Sequence, residues 1–214
     1  MQTAIYELIN APTTDRNEDW ESQLLKSLSS ARFNVLDETP QPGPDQWPYL
    51  LVETVPNGTE TLDKIISWLH DKGVGLVVNP QKEAPDYVFS YGMLWNFKER
   101  GEFLTESRSV QKGQVLFKEN QKVLAGAPSD DYLPPYLRSV LRSFFNDNGV
   151  KTPKILVMGQ NEQSHFDLCF SIESLGNPER AEHNGILEAI SWFLPAHYSL
   201  VLISETGLPR FHDL

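Results

Sequence analysis

Residues 73–97, GVGLVVNPQKEAPDYVFSYGMLWNF, constrain this chain more than any other stretch. The first half is a short, glycine-led apolar run closed by Asn79-Pro80. A run of that length suits a buried strand, and proline cannot continue one. The second half sets Tyr87, Phe89, Tyr91, Trp95 and Phe97 within eleven residues. Burying one such ring is worth roughly 1.5–3 kcal/mol, so most of them belong inside. Five rings with Met93 and Leu94 crowd a single core, however. A helix from Tyr91 to Phe97 turns Leu94 and Phe97 inward and leaves Tyr91 and Trp95 together on another face, at the i, i+4 spacing. That face is either core or subunit contact, or an exposed anchor for a partner, since Tyr and Trp dominate interface energetics.

The flanking pattern is that of an α+β protein, a mixed sheet with flanking helices. Residues 15–31 predict a helix with Trp20, Leu24, Leu25 and Leu28 on one side, and residues 33–37 a strand. TPQPGPDQWP, residues 39–48, holds four prolines and reads as an exposed loop. Residues 49–55 predict a strand ending at the Pro56-Asn57-Gly58 turn. Thr59 or Thr61 then caps a helix whose Leu62, Ile65, Ile66 and Leu69 form an apolar stripe. Gly73 is expected to stop it, because glycine takes the left-handed cap conformation without a Cβ clash.

Short strands are expected next, at residues 76–78 and 87–89. Ser90 is placed to cap a helix running to Arg100. Residues 102–125 read as two linked hairpins. Pro134-Pro135 opens a helix carrying Leu137, Val140, Leu141, Phe144 and Phe145. Asn146-Asp147-Asn148-Gly149 is the expected boundary between a domain of residues 1–150 and a smaller β-β-α-β domain of residues 151–214. The latter is expected to have strands at 154–158, 166–172 and 198–204 and a helix at 178–193.

At 214 residues the chain can bury a substantial core without a metal or disulfide, and Cys169 is its only cysteine. The first twenty residues lack the basic start and apolar stretch of a secretory signal, and no run reaches the length of a membrane span. Asn57-Gly58-Thr59 matches a glycosylation acceptor but reads as a turn. The expectation is a cytoplasmic protein with no membrane attachment.

The net charge is −11. Residues 1–60 carry ten acids and three bases, whereas residues 61–150 carry eleven of each. Lys98, Arg100, Arg108, Lys112, Lys118 and Lys122 are interleaved with Glu99, Glu102, Glu106 and Glu119. Such mixed charge does not suit a phosphate backbone, so no nucleic-acid partner is expected. An acidic face suits a basic protein, although solubility alone accounts for it.

Catalytic signatures are sparse. His165, Asp167 and Cys169 share one face if they lie on a strand, and these residue types can build a cysteine nucleophile with its base. Same-face neighbours sit roughly 7 Å apart, too far for a hydrogen-bonded triad. His70, His165, His183, His197 and His212 lack zinc-type spacing, and Gly73-Val74-Gly75 is too short to cradle a pyrophosphate. Glu18-Asp19 and Asp130-Asp131 sit where acids favour helix starts. No metal, cofactor or catalytic residue is assigned.

Three segments carry a family resemblance. They are GVGLVVNP (residues 73–80) after an amphipathic helix, LAGAPSDDYLPPYLRSVLRSFF (124–145), and ILVMGQNEQSHFDLCFSIE (155–173). With them the chain resembles the bacterial SseB-like family, named for enhanced serine sensitivity. The resemblance implies an intracellular α+β protein without catalytic activity, and it supplies no substrate. Residues 85–101 depart from the family in being richer in aromatics. The expected function is therefore a non-enzymatic interaction or regulatory protein, with Tyr91, Trp95, Tyr87 and Phe97 as the binding residues. A homodimer is left open. An acidic immunity or chaperone protein, a small-ligand sensor and an enzyme built on Cys169 and His165 are the alternatives.

Overall fold

The computed structural model describes residues 2–105, 123–160 and 166–214. The expected hairpins fall largely on residues 106–122, and His165 on 161–165; both lie outside the described residues. The fold is α+β, with two mixed sheets and six helices among the described residues. The chain divides into two compact units, Met1–Phe103 and Leu104–Leu214. Among the described residues no helix is long and apolar enough to cross a membrane.

The first unit begins with α1 (Gln2–Ile9), a turn of 3-10 helix (Thr13–Asp15) and α2 (Glu18–Leu28). The Asn17 side chain accepts from the Trp20 N–H at 2.9 Å, and Glu18, Asp19 and Glu21 place negative charge on the first turn of α2. The strands are β1 (Arg32–Val35), β2 (Gln41–Pro42), β3 (Pro48–Thr54) and β4 (Glu60–Thr61), then β5 (Gly75–Val78) and β6 (Tyr87–Phe89). They form the order β4-β1-β3-β5-β6, with β2 pairing with β3. Only the β3–β5 pair is parallel, and α3 (Leu62–Leu69) makes the crossover. As the stripe predicts, Leu62, Ile65, Ile66 and Leu69 are all buried, and Thr61 caps the helix.

The α3 hydrogen bonding ends at His70, three residues before Gly73, whose φ of +65° then leads the chain into β5. All four residues of β5 are buried. Gly75 lets this strand pass under Tyr49: a Cβ there would lie 2.6 Å from both the Tyr49 ring and the Phe89 carbonyl. In this unit the short elements α1, β2 and β4 have no counterpart in the expected pattern. α1 buries Ile5 and Ile9 against the helical face of the sheet, and β2 draws Gln41–Pro42 out of the proline-rich loop to pair with Pro48 and Tyr49.

A buried polar cluster sits at the end of β5. Asn79, with φ +55°, closes the strand and turns its side chain inward. Its Oδ1 accepts from the Thr54 N–H at 2.8 Å, and its Nδ2 donates to Thr54 Oγ1 at 2.8 Å and to Asp86 Oδ2 at 2.6 Å. Asp86 is buried and also receives Lys82 Nζ at 2.6 Å and Arg16 Nη2 at 2.9 Å. The same two cations reach the end of α1: Lys82 donates to the Ile9 carbonyl at 2.7 Å, and Arg16 to the Ile9 and Ala11 carbonyls at 3.3 Å. The Trp20 indole N–H takes the Leu8 carbonyl at 2.9 Å. Carbonyls that α1 leaves open at its C-terminus thus meet two positive charges and an indole.

The second unit comprises β7 (Val123–Gly126), α5 (Pro135–Asp147), β8 (Lys154–Gln160), β9 (Phe166–Ser171), α6 (His183–Ser191), β10 (Ser199–Ile203) and β11 (His212–Asp213). α4 (Tyr91–Arg100) closes the first unit. The strand order is β10-β9-β8-β11, with β7 also pairing with β8. β9 and β10 are parallel around α6, while β8 and β9 are antiparallel. Both units therefore contain the same α-β-β-α-β path, α2-β1-β3-α3-β5 in the first and α5-β8-β9-α6-β10 in the second.

The expected boundary near residue 150 lies inside this second unit. Gly149, φ +83°, ends α5, and the helix belongs to the sheet of β8 and β9. Phe145 packs on Phe170 with centroids 5.8 Å apart, Phe144 on Phe193 at 4.9 Å, and β7 pairs along β8. The polar run that reads as a linker is a helix stop.

Asp86→Ala is expected to destabilise the first unit by about 2–3 kcal/mol. That is somewhat less than the loss of a partner from a fully buried ion pair, because Arg16 and Lys82 keep partial access to water. Denaturant unfolding reads the loss. Faster hydrogen exchange at the Thr54 amide, whose acceptor Asn79 is held by Asp86, localises it.

Candidate functional site

Of the two readings open for the Tyr91–Trp95 face, core or exposed anchor, the structure has the buried one. Ser90 caps α4, accepting from the Met93 N–H, and the residues from Tyr91 to Asn96 are buried except for half-buried Met93. Tyr91 is 0% exposed and Trp95 1%. α4 has no polar face until Lys98, so the i, i+4 pair has no solvent to point into. The Tyr91 hydroxyl donates to the His70 carbonyl, tying the start of α4 to the end of α3, and burial raises its pKa, with the charge of Asp71 adding to the rise.

Tyr87 and Phe97 are half-buried. The Tyr87 hydroxyl donates to Glu21 Oε1 at 2.5 Å, and its pKa is raised by burial and then by that carboxylate. Phe97 stacks on Phe103 at 4.4 Å, and Phe89 joins both Phe103 (4.6 Å) and Tyr87 (4.5 Å). The four expected binding residues are core or core-edge.

Cys169 is buried on β9 among Leu156, Met158 and Phe211. Burial, reinforced by the nearby Asp167 charge, pushes its thiol up to about 12. Asp167 is itself engaged, accepting from Ser199 Oγ at 2.5 Å across the β9–β10 pair. A buried thiol held this far above its usual range is not an activated nucleophile.

The other candidates are taken up locally. His70 Nδ1 lies 2.7 Å from the Ser67 carbonyl, and His183 Nε2 lies 3.2 Å from the Pro178 carbonyl. Asp130 pairs with Arg138 at 3.0 Å, and Glu18 and Asp19 sit in the first turn of α2. Among the described residues no three His, Cys, Asp or Glu side chains gather so as to hold a metal ion. At the carboxyl ends of β9 and β10, Ser171 donates to Glu205 at 2.6 Å, Ser204 donates to Glu173, and the Glu205 N–H donates to Glu173 at 3.0 Å. This network is closed by its own hydrogen bonds.

An open groove of about 910 Å³ lies between β1 and α3. Val35, Leu50 and Ile65 form its apolar inner wall. Leu36 and Trp68, 46% and 43% exposed, are the large apolar side chains turned to solvent beside it. Among the described residues, Glu38, Glu53 and Glu60 line it with a single ammonium, Lys64, which pairs with Glu60 at 3.1 Å. Lys72 Nζ lies 5.1 Å from the Trp68 ring centroid, within cation–π range. The strand edge contributes as well: β4 pairs with Arg32 and Phe33 of β1, and Asn34 and Val35 beyond it line the groove.

Trp68 is not among the residues singled out by the sequence pattern. The available signal is its place on α3, four residues from solvent-facing Lys64 and off the Leu62–Ile65–Ile66–Leu69 stripe. A tryptophan on the polar side of an amphipathic helix is an exposed ring unless another element covers it.

Native Cys169 is expected to resist iodoacetamide at pH 8, where a thiol titrating near 12 is ionised to roughly one part in ten thousand. Alkylation followed by mass spectrometry should become rapid only in denaturant. Fast native labelling would make Cys169 a functional candidate again. No protein-family model, curated protein or solved structure matches this chain.

Proposed function

We propose that this is a non-enzymatic interaction or regulatory protein that binds a protein partner, and that the groove between β1 and α3 is the contact surface. The carrying observation is Trp68 beside Leu36, two large apolar side chains half in solvent at the mouth of a groove with an apolar wall. Exposed aromatic side chains next to a pocket supply binding energy, because covering them removes apolar surface from water and the ring is rigid. The SseB-like resemblance points the same way, toward an intracellular bacterial protein acting by contact rather than by chemistry. The burial and raised pKa of Cys169 weigh against the enzyme built on it.

The expected anchor thus moves from Tyr91 and Trp95 to Trp68. Replacing a side chain as exposed as Trp68 changes stability by less than about 1 kcal/mol, so Trp68→Ala separates binding from folding. With a partner isolated from native lysate and purified, Trp68→Ala should weaken the complex at least about thirtyfold, the cost of losing a hot-spot residue. Isothermal titration calorimetry measures it, and unchanged affinity would sink the assignment. Leu36→Ala should weaken it less, by about fivefold, because the side chain is smaller.

A further inference from the structure

We propose that the groove takes a basic segment of the partner, with an apolar side chain seated against Trp68 and Leu36 and flanking lysine or arginine side chains paired with Glu38 and Glu53. This rests on the reading of the groove as the partner-binding surface and adds the chemistry of the segment that enters it.

Charge supplies the first reason. Among the described residues the groove is lined by three carboxylates and one ammonium, and that ammonium is already paired with Glu60. Glu38 and Glu53 remain to set the field. Among the described residues Glu53 receives a 3.4 Å contact from the Gln81 amide, which does not neutralise it. Two carboxylates in one concave site favour a cation by Coulomb attraction over distances within a Debye length, about 8–10 Å at physiological salt, and disfavour an anion equally. A phosphate-rich or acidic occupant would bring like charges together.

Trp68 supplies the second. Its ring already lies within cation–π range of Lys72, so the electrostatics of that ring suit a cation. A partner guanidinium can take the place of Lys72, which keeps its ion pair with Asp71 at 3.2 Å, while its methylenes cover the indole. The third reason is shape. The groove is open and bounded by the strand edge at Asn34 and Val35, which suits an extended chain laid alongside it better than an enclosed small molecule.

Short random peptides displayed on phage and selected on the full chain, with Trp68→Ala as the counter-selection target, test this directly. Trp68-dependent binders enriched in Lys and Arg around an apolar residue are the expected result. For a synthetic peptide of the winning sequence, the Glu38→Gln/Glu53→Gln double variant should lower affinity about tenfold and flatten its salt dependence. Trp68-dependent binders that are neutral or acidic, or a double variant that binds the peptide as tightly as wild type, overturn the basic-segment assignment and leave the groove reading standing. Failure to obtain Trp68-dependent binders overturns both. A concentration-dependent dimer in sedimentation that Trp68→Ala abolishes overturns the basic-segment assignment alone, because a second copy of the chain would then be the groove's occupant.

Discussion

The packing of the first unit converges on the carboxylate of Asp86. Taking a carboxylate out of water costs several kcal/mol unless good partners surround it, and here Asn79, Lys82 and Arg16 all donate to it. Its location is not adjustable. The Asp86 N–H donates to the Val78 carbonyl and the Asn79 N–H to the Val52 carbonyl, so the sheet fixes both residues, and the cations must come to them. Arg16 arrives with the turn before α2, and Lys82 from the loop between β5 and β6. Both then reach the last carbonyls of α1, an eight-residue helix too short to persist alone in water. α1 is held as much by this polar anchor as by the burial of Ile5 and Ile9.

The aromatic segment obeys the same constraint on polar atoms. A tyrosine goes into a core readily when its hydroxyl keeps a partner. Tyr91 has the His70 carbonyl and Tyr87 has Glu21, so both rings can be covered without stranding a donor. Each hydroxyl also joins two elements, α4 to α3 and β6 to α2. Trp68 differs in position rather than chemistry. The four apolar positions of the α3 stripe fill the contact with the sheet, and the ring that falls outside that stripe stays at the surface.

Local order was legible in the sequence. The α3 stripe, the Ser90 and Thr61 caps, the proline start of α5 and the Asn79 stop of β5 each depend on residues within one turn of one another, and each stands close to where the pattern puts it. The features that were not legible depend on partners far along the chain. β2 and β4 are two residues each and exist only because β3 and β1 lie beside them. α1 needs Lys82, some seventy residues away. Asn146-Asp147-Asn148-Gly149 has the composition of a linker, and only the Phe145–Phe170 and Phe144–Phe193 packing shows that α5 belongs with β9 and α6. The cover over the Tyr91–Trp95 pair is non-local for the same reason: helical spacing gives the face but not the elements that cover it. The groove is non-local too, since its walls come from β1, β3 and α3.

The shared α-β-β-α-β path bears on where function can reside. In sheets built this way, ligands commonly settle at the carboxyl ends of the parallel strands, where backbone groups and the adjoining loops converge. Here both such places are filled from within. Thr54, Asn79 and Asp86 occupy the ends of β3 and β5, while Ser171, Glu173 and Glu205 occupy the ends of β9 and β10. The charged groups at these ends have been committed to holding loops and helices in place. The lateral flank of the first sheet is under no such demand, because the core contact of α3 is satisfied by its stripe and β4 leaves β1 after two residues. Side chains there can change with little cost to folding. A surface with that freedom can be tuned to a partner while the Asp86 network, in which the loss of a member is costly, keeps the fold beneath it constant.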